Sequence, residues 1–508
     1  MVIAPGPTAN GDLHLGHLAG PFLAADICAR HARAAGQDVL FGTGVHFTQN
    51  YIVTTARRLG VRPEDLRVRA GAEVEQTLAA MAVTPDGFVQ FDERYVATVR
   101  AFFERLHGRG LLRLRPVAFP YAPRTGEFLT DAYVRGGCPV CLADGCAGLC
   151  ETCGTWIASG ELIDPQSTLH PGDPVELRER QVLVLPLEEH RAALTEYFAA
   201  QRATMRPRLA QQVEEVLARP LPDYPVTLPI SWGIPAPFPE VQGQVIYSDA
   251  ETIAWSMHCT ALAAGRRGPR SADDDEESWR AGSGTRVAYF FGSDAGFAFA
   301  VVGVAMLLAL GDRVLPEQFV TNEFYELDND KFSTSRGHVV TGRQLAAEVP
   351  RDLIRFYLAA TSPEFQRTNF TRDSLVRVTG SRLVQPWNRV VDKVDAWAGR
   401  GPLPVSAQSR QAATRIVERF AAACELRRFS LNAAAFTLTE QLARLDGWQV
   451  TPERAGDFCH EVDVFLRCAA PILVDLADKA LPDLAIPARP QALTVTPGWL
   501  PRLAESAR

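Results

Sequence analysis

A strand–helix–strand pattern occupies the first 44 residues and restricts the fold more than any other feature of the chain. The apolar run at 1–5 ends in a proline-rich turn and predicts a buried strand. Apolar residues then recur at helical spacing over 13–36, and a second apolar run follows at 37–44. A unit of this kind builds a parallel sheet, which binds its ligand where a strand runs into the next helix. The turn after the first strand is therefore the expected binding edge.

The same signals return late in the chain, as a strand at 285–295, a buried helix at 296–311 and a strand at 316–327 that enters a polar loop. A cysteine-bearing insert at 116–225 separates the two sets. From about residue 376 the pattern is helical, which predicts a C-terminal bundle. The polar, acidic segment 266–286 predicts a mobile surface loop, and we assign it no function.

Charge and hydropathy exclude several classes of protein. The net charge is −7, so the chain has no overall attraction for nucleic acid. DNA is not an expected partner, and any RNA contact has to come from a local patch. No run of 18 or more uncharged apolar residues occurs, and the N-terminus lacks the pattern of a signal peptide. We expect a cytoplasmic protein that does not enter a membrane.

His14 and His17 lie one turn apart at the start of the first predicted helix. They share a face of that helix, whose free N–H groups and positive dipole end favour a phosphate ligand. Two alternatives are a metal pair, for which no further ligands are evident nearby, and two ordinary surface histidines. The later stretch KFSTSRG at 331–337 holds Lys331 and Arg336 among hydroxyl residues. It predicts either a mobile loop that closes over phosphates or a solvated basic turn.

Four cysteines have the paired spacing of a zinc knuckle: Cys138, Cys141, Cys150 and Cys153. Two Cys-x-x-Cys pairs with a short connector favour a closed tetrahedral site, in which the zinc is structural because no coordination position stays open. The alternative is a set of free buried thiols. Cys146 falls between the pairs and is either a bystander or a substitute ligand.

These motifs can be set beside a known family. HLGH and KFSTSRG, in this order, resemble the two signatures of class I aminoacyl-tRNA synthetases. PTANGDLHLGH at 7–17, LTDAYVRGGCPVC at 129–141 with CETCG at 150–154, ISWGIPAP at 230–237, the segment 350–370 and LVQPWNRV at 383–390 resemble the methionyl-tRNA synthetase group over nearly the whole chain.

The resemblance implies an α/β fold, in which a class I synthetase Rossmann-type parallel sheet is split by a zinc-knuckle insert and followed by a C-terminal α-helical bundle. The predicted division is 1–115 and 226–345 for the two halves of the nucleotide-binding domain, 116–225 for the insert, 346–380 for a stem-contact region and 381–508 for an anticodon-binding-like bundle.

The resemblance also implies amino-acid activation by ATP with Mg²⁺. A carboxylate attacks the α-phosphate, pyrophosphate leaves, and the protein contributes positioning and charge stabilisation. His14 and His17 would hold the phosphates, while Lys331 and Ser335 would stabilise the departing pyrophosphate. The implied ATP-binding set is Asn10, Gly11, His14, Gly16, His17, Lys331, Ser333, Thr334 and Ser335. Thr334 stands where the family usually has a second lysine, so we expect slower or differently supported chemistry.

The implied amino-acid pocket departs from the methionyl group. Thr8 replaces a tyrosine, Gly44 replaces the aspartate that pairs with the substrate ammonium, and Phe299 replaces a histidine. The family segment YVWFDAPIGY aligns with gaps to 247–255, which places its pocket tryptophan on Asp249, whereas Asp294 is retained. A pocket loses its preference when its matched contacts go, so we expect that methionine is not the substrate. We further expect that Asp249 or His46 recognises a small polar or amino-bearing acid.

The acceptor of the activated acid is open at this level. Arg389 stands where the family has an anticodon-reading arginine, and Trp448 matches its stacking tryptophan; both are either RNA contacts or packing residues of the bundle.

Three functional hypotheses follow. The first is a ligase that activates a small amino acid such as glycine and esterifies an N-hydroxylated amine, like the synthetase-like domain of cupin-fused hydrazine synthetases. The second is a tRNA synthetase for methionine or another acid, and the third is a non-catalytic scaffold. The chain starts almost directly in its first strand, which leaves room for an upstream cupin-type partner domain.

Overall fold

The structure is a computed structural model that describes residues 1–265, 276–332, 338–485 and 490–504. Ser333, Thr334, Ser335 and Arg336 of the predicted phosphate loop lie outside the described residues, as does 266–275 of the acidic segment.

A five-stranded sheet confirms the predicted α/β class. Its spatial order is β13 (Gln318–Asn322), β12 (Ala288–Gly292), β1 (Val2–Ile3), β2 (Phe41–Gly44) and β3 (Gly87–Val89). β1 runs parallel to β12 and to β2, and β2 runs parallel to β3. These strands are short, almost wholly buried apolar runs, as expected for a parallel sheet covered on both faces.

The first predicted helix is interrupted. Leu15–His17 forms α1, Leu18–Phe22 is a π-helical turn, and Leu23–Ala34 forms α2. Pro21 has no N–H to donate, and Gly20 adopts φ −96° and ψ −112°, so the helix cannot continue through this point. The prediction of one continuous helix over 13–36 was therefore wrong. The predicted end of the helix agrees with the structure, because Gly36 has the left-handed conformation that is common just after a helix C-terminus.

The chain forms two structural units. The first unit comprises Met1–Asp12, Leu40–Glu75 and Pro85–Thr321, and the second comprises Leu13–Val39, Gln76–Thr84 and Asn322–Arg508. The five-part division made from the sequence stays a prediction.

The cysteine-bearing insert is mainly antiparallel. Its larger sheet has the order β5 (Glu127–Phe128), β4 (Arg113–Ala122), β8 (Glu176–Pro186) and β9 (Asp223–Pro225). β6 (Val134–Gly137) and β7 (Ile163–Ser167) form a separate pair, and the cysteine turns lie between them in the chain. β10 (Thr227–Leu228) pairs with β11 (Val245–Ile246).

The helices assigned to the first unit are α3 (Tyr51–Leu59), α5 (Glu93–Gly108), α6 (Arg191–Gln201), α7 (Pro207–Leu217), α8 (Thr252–Gly265) and α9 (Gly303–Leu310), while α4 (Pro63–Ala80) passes from the first unit into the second. The window Ser293–Leu310 is long and apolar enough to span a membrane by length and composition, but 72% of it is buried inside the fold. Its apolar surface is therefore already covered by protein.

In the described part of the predicted surface loop, 276–286, most residues are exposed, but Trp279 departs from the prediction. Trp279 is fully buried, and its indole N–H donates to Thr260 Oγ1 at 2.9 Å. An aromatic side chain inside a polar segment is pulled into the core by the area it removes from water, which charge patterning does not reveal.

The second unit confirms the helical C-terminal region. Its remaining helices are α10 (Gly342–Glu348), α11 (Arg351–Ala360), α12 (Arg372–Thr379), α13 (Gln385–Asp395), α14 (Ala407–Cys424), α15 (Leu431–Asp446), α16 (Ala455–Ala469) and α17 (Val474–Ala480). Two small sheets accompany them: β15 (Asp330–Lys331), β14 (Tyr325–Leu327) and β16 (Thr368–Phe370) form one, and β17 (Pro402–Pro404) with β18 (Ala492–Thr494) forms the other. The sequence analysis predicted only helices in this region and did not include the β17–β18 pair.

Candidate active site

His14 and His17 cap the first turn of α1 reciprocally. His14 Nδ1 accepts a hydrogen bond from the Gly16 N–H at 3.1 Å, and His17 Nδ1 accepts from the His14 N–H at 3.3 Å. The two rings stack with centroids 3.8 Å apart. Because both Nδ1 atoms are acceptors, each neutral ring carries its proton on Nε2. The pair therefore offers two Nε2–H donors.

Both histidine rings are held neutral. Burial lowers the pKa of His14 well below its usual value, and the nearby His17 and Lys331 lower it further; burial also lowers the pKa of His17 to about 4. The metal-pair alternative finds no support, because in the described part of the chain the one cluster of His, Cys and acidic groups that fits a metal ion consists of cysteines.

Described residues before and after 333–337 contact the start of α1. On one side, the ring of Phe332 stacks on the His14 ring at 4.6 Å between centroids. On the other side, the Leu15 N–H donates to the Val340 carbonyl at 3.0 Å, and Thr341 pairs with His14 in an antiparallel bridge. The geometry thus joins the two motifs that lie more than 300 positions apart in the chain.

Lys331 ends the short hairpin that leads into this segment. Its backbone pairs with Glu326, and its ammonium lies 5.7 Å from the centroid of the Phe324 ring. Its charge lowers the pKa of His14. The structure therefore brings His14, His17 and Lys331 together, whereas the roles of Ser333, Thr334 and Ser335 stay predictions.

Gly16 is required by the histidine geometry. A Cβ at this position would lie 2.9 Å from the His14 ring atoms. Asn10 and Gly11 are half-buried in the turn before α1, where the Asn10 N–H donates to the Thr8 carbonyl at 2.8 Å.

The predicted pocket residues Thr8, Gly44, His46 and Asp294 end or follow three parallel strands of the sheet, β1, β2 and β12. Carboxyl ends of parallel strands share one edge, which is where α/β sheets bind ligands. Thr8 and His46 form a parallel bridge, and Asp294 is exposed.

Three of the predicted pocket residues, Gly44, Phe299 and His46, pack against protein groups. Gly44 faces Val89, because a Cβ there would lie 2.6 Å from the Val89 Cβ. Phe299 is 5% exposed and packs against Tyr289 and Phe291 in an aromatic cluster. The His46 ring stacks on Trp255 at 5.5 Å, and burial lowers its pKa to about 4. Its Nδ1 has no hydrogen-bond partner among the described residues.

Asp249 belongs to a polar chain that begins at Thr8. The Thr8 hydroxyl donates to Gln49 Oε1, and Gln49 Nε2 donates to Asp249 Oδ1 at 2.9 Å. Tyr247 Oη lies 3.4 Å from Asp249 Oδ2 and 3.0 Å from Asp131 Oδ1. Neutral donors thus hold the Asp249 carboxylate. A cavity of about 50 Å³ opens beside these groups and is lined by Gln49, Asn50, Tyr51, Asp131, Gly148, Leu149, Ser248 and Asp249.

Gln49, Asp131 and Tyr247 are not among the predicted site residues. Asp131 lies inside the motif at 129–141, but nothing in the motif indicates what the carboxylate contacts. For Tyr247 a signal is present: the family segment YVWFDAPIGY contains an Asp-Ala pair, which also occurs here as Asp249–Ala250. Matching the two pairs moves the aromatic position from Asp249 to Tyr247.

Glu251 is a buried acid next to this polar chain. Its side chain is fully buried, and Oε2 accepts hydrogen bonds from Thr48 at 2.9 Å and from the Tyr95 hydroxyl at 2.6 Å. Burial raises the pKa of Glu251 to about 8. The two hydrogen bonds lower the pKa, but their effect is smaller than that of burial.

Replacing Glu251 with glutamine is expected to change how stability depends on pH. Since the folded-state pKa is raised above the value of about 4.5 in the unfolded chain, the acid contributes stability below pH 4.5 that is lost as the pH rises to 8. Glutamine does not ionise, so the Glu251→Gln variant does not lose this stability as the pH rises. The difference in free energy of unfolding, variant minus parent, should therefore rise by up to about 1.4 kcal/mol per pH unit between pH 4.5 and 8. Urea titrations at several pH values check this, with the exposed Glu104→Gln as control. A parallel pH dependence in parent and Glu251→Gln would contradict the prediction.

The four predicted zinc ligands lie together. The Sγ atoms of Cys138 and Cys153 are 3.8 Å apart, those of Cys141 and Cys150 are 3.5 Å apart, and the four ligand atoms all lie within 4.8 Å of one another. Sulfurs about 2.3 Å from a tetrahedral zinc are separated by about 3.8 Å, so the set fits this ion. Cys146 Sγ instead donates to the Ala143 carbonyl at 3.4 Å, within the buried core of the insert.

Replacing Cys150 with serine is expected to abolish zinc binding. Three thiolates and a hydroxyl hold zinc far less tightly than four thiolates, because the hydroxyl does not ionise at neutral pH. The metal content of purified protein, measured by atomic emission, should fall from about one zinc per chain to about zero. Cys146→Ser is the matched control and should keep its zinc; loss of zinc in this control would make Cys146 a ligand.

Arg389 and Trp448 lie near one another in the second unit. Arg389 forms a bidentate pair with Asp446, at 2.9 and 2.6 Å, and Lys393 donates to the carbonyl of Trp448 at 3.1 Å. The Trp448 ring has the guanidinium groups of Arg454 and Arg444 at 4.8 and 5.5 Å. Both of the predicted roles, RNA contact and packing, therefore stay open, although the guanidinium of Arg389 is already engaged.

The fold and these sites define a class I synthetase architecture, and comparisons with known proteins agree. The profile of the family described as tRNA synthetases class I (M) matches residues 1–394. The chain is 30% identical over 403 residues to the methionine–tRNA ligase of Roseiflexus sp., with 78% of this chain and 68% of that one covered. The chain therefore belongs to the class I (M) family of tRNA synthetases.

Other relatives are longer than this chain. It is 30% identical to the methionine–tRNA ligase of Bacteroides fragilis over 393 residues, which cover 76% of this chain. It is also 30% identical to the methionine–tRNA ligase of Porphyromonas gingivalis over 425 residues, which cover 82% of this chain. The matched part spans 56% and 61% of those two ligases. Among solved structures, the Mycobacterium tuberculosis methionyl-tRNA synthetase bound by methionyl-adenylate superposes with a TM-score of 0.74 at 18% identity over 99% of both chains. This likeness supports the fold.

Proposed function

We propose that the chain is an ATP-dependent ligase that activates the carboxyl group of a small amino acid as an adenylate. The observation that carries the proposal is the neutral His14–His17 pair, which offers two Nε2–H donors within reach of the charge of Lys331. Family membership supports ATP with Mg²⁺ as the co-substrate.

In the proposed reaction, a carboxylate oxygen attacks the α-phosphorus of ATP and pyrophosphate leaves. His14 and His17 donate hydrogen bonds to the phosphate oxygens, and Lys331 stabilises the charge that accumulates on the leaving group. Ser335 and the neighbouring Ser333 and Thr334 add hydroxyl donors from the loop. Asn10, Gly11 and Gly16 leave room for the nucleotide at the helix start.

We propose a small, non-methionine acid such as glycine as the substrate. The predicted pocket residues of the first unit include polar groups, from Thr8 through Gln49 to Asp249, rather than the apolar sleeve that suits an aliphatic thioether. The match of Tyr247 to the family's aromatic position removes one of the four differences from methionyl enzymes, and the other three remain.

The proposed acceptor is a hydroxyl group of a small molecule, such as an N-hydroxylated amine, with a cupin-type domain as partner. The bidentate Arg389–Asp446 pair supports this choice, because an RNA base would have to displace Asp446 to use the same guanidinium. Structural zinc on Cys138, Cys141, Cys150 and Cys153 belongs to the same proposal and would crosslink the insert.

The second candidate is charging of tRNA with methionine. It is favoured by the relatives, which are methionine–tRNA ligases, and by the solved neighbour that holds methionyl-adenylate. A non-catalytic scaffold is the weaker alternative, because both histidines and Lys331 are present and the histidines offer two N–H donors.

Exchange of labelled pyrophosphate into ATP tests the proposal. The purified chain is assayed with glycine, alanine, serine, lysine and methionine, each with and without tRNA. We expect exchange with a small acid in the absence of tRNA. Exchange with methionine alone, together with acylation of tRNA, would favour the second candidate, and no exchange with any acid would favour the scaffold.

A further inference from the structure

Two carboxylates in the first unit share one hydroxyl group. Tyr247 Oη lies 3.0 Å from Asp131 Oδ1 and 3.4 Å from Asp249 Oδ2. A hydroxyl carries a single proton, so it donates to one of these oxygens at a time. Two neighbouring carboxylates that are only partly solvated repel one another unless a proton or a cation lies between them. The pair therefore favours a positive group beside the two carboxylates.

The described groups around the pair supply one cation for two carboxylates: the charge of Arg135 lowers the pKa of Asp131, whereas Asp249 is held by neutral donors. Asp249 Oδ1 accepts from the neutral amide of Gln49 at 2.9 Å. The guanidinium of Arg135 donates to the backbone carbonyls of Asp131 and Val134, at 3.1 and 2.9 Å. Tyr224 is fully buried with its ring 5.7 Å from that of Tyr247, and its hydroxyl has no hydrogen-bond partner within the described residues. Burial raises the pKa of Asp131, and the charge of Asp249 raises it further.

The cavity beside the pair is small and polar. Its volume is about 50 Å³, enough for an ammonium group with one attached carbon, and both carboxylates line it. Gly148 forms part of the wall, where a Cβ would lie 2.5 Å from Asp131 Oδ1. Asp131 itself has φ +44°, a left-handed conformation that Asp tolerates better than most residues. A strained backbone at a cavity wall is typical of a position that serves a ligand.

We propose that Asp131 and Asp249 together bind the primary ammonium group of the acid that is activated, and that Gly148 limits the size of the group beside it. This inference rests on the proposed function, and it narrows the substrate to small carboxylic acids that carry a primary ammonium. Tyr247 is the positioning residue that holds both carboxylates. Asp131 thereby becomes a specificity determinant.

Asparagine substitutions test the assignment in the exchange assay. Asp131→Asn and Asp249→Asn keep the side-chain shape and remove the charge, and Asp164→Asn is the matched control because Asp164 has φ +47° and is exposed. With glycine, each test variant should raise the KM for the acid about tenfold or more and leave the KM for ATP unchanged. The control should match the parent. An unchanged KM for glycine in Asp131→Asn would overturn the inference.

Substrate analogues separate ammonium recognition from a general loss of fit. Glycolate carries a hydroxyl in place of the ammonium, and the parent should prefer glycine to glycolate at least about tenfold in kcat/KM. Asp131→Asn should lose most of this preference, whereas the control Asp164→Asn should retain it. Equal use of glycine and glycolate by the parent would also overturn the assignment.

Thermal melting gives a readout that does not depend on catalysis. Glycinamide, which has an ammonium but no carboxylate, should raise the Tm of the parent and of Asp164→Asn, whereas acetamide at equal concentration should not. Both test variants should lose this response. If no acid supports exchange but glycinamide still stabilises the parent, the proposed function fails and the ammonium site stands. If exchange works and glycinamide has no specific effect, the ammonium site fails and the function stands.

Discussion

Replacing His14 or His17 with alanine is expected to lower the rate of pyrophosphate exchange about 100- to 1,000-fold, which is the usual cost of removing one preorganised donor to a charge that develops in the transition state. Each imidazole uses Nδ1 to accept a backbone N–H and keeps Nε2–H for the phosphates. Since burial keeps both rings neutral, neither needs to change protonation between pH 6 and 8. Steady-state exchange with the preferred acid measures the effect.

The matched control for this experiment is His31→Ala on α2. His31 is half-buried near the C-terminal end of α2 and is not part of the stacked pair formed by His14 and His17. Its exchange rate should stay within about threefold of the parent. The KM for the acid should also stay constant in the His14 and His17 variants, because these rings act on the nucleotide. A rate close to that of the parent in both variants would refute the assignment of the pair to the phosphates.

Replacing Arg355 with methionine is expected to destabilise the second unit by about 3–5 kcal/mol. Arg355 and Asp26 are both about fully buried, and their charged groups meet at 2.7 Å. The same guanidinium donates to the carbonyls of Met81 at 2.9 Å, Pro471 at 2.6 Å and Ile472 at 3.1 Å. Removing the guanidinium takes one cation away from the buried Asp26 carboxylate. It also leaves three buried carbonyl oxygens without this donor, and a buried acceptor without a donor is destabilising.

Arg351 provides the control for Arg355 on the same helix. Its bidentate pair with Asp475 has side chains that are 34% and 35% exposed, so solvent screens the attraction. Arg351→Met should therefore cost at most about 1 kcal/mol. Urea unfolding followed by circular dichroism compares the two variants. Equal losses in both would mean that burial does not set the strength of the Arg355 pair.

The order of the elements and the class of the fold could be predicted because both follow from local patterns. The runs that become β1 and β12 are apolar over consecutive residues, which is typical of strands buried on both faces. The two Cys-x-x-Cys pairs likewise predicted the four-thiol cluster, since a tight turn brings such cysteines together in almost any context. The break at Gly20–Pro21, which we did not predict, also had a signal in the sequence. Proline interrupts a helix because it has no backbone N–H to donate.

Other parts of the site could not be predicted from the sequence. Trp279 lies in an acidic segment that looks solvated, and only the space under it makes it part of the core. Asp131 and Tyr247 are 116 positions apart, and no periodicity relates them. The anchoring of Phe332 on His14 similarly depends on pairing between distant stretches.

Local sequence patterns were enough to identify the residues that can do chemistry: two histidines on one helical turn, a lysine among hydroxyls, and four paired cysteines. Only the tertiary structure decided the partners of these groups, such as the hydroxyl shared by Asp131 and Asp249 or the buried ion pair of Asp26 and Arg355, which are 329 positions apart. The physical reason is that helix, strand and turn preferences act over a few residues, whereas a buried charge finds its partner through the packing of the whole unit.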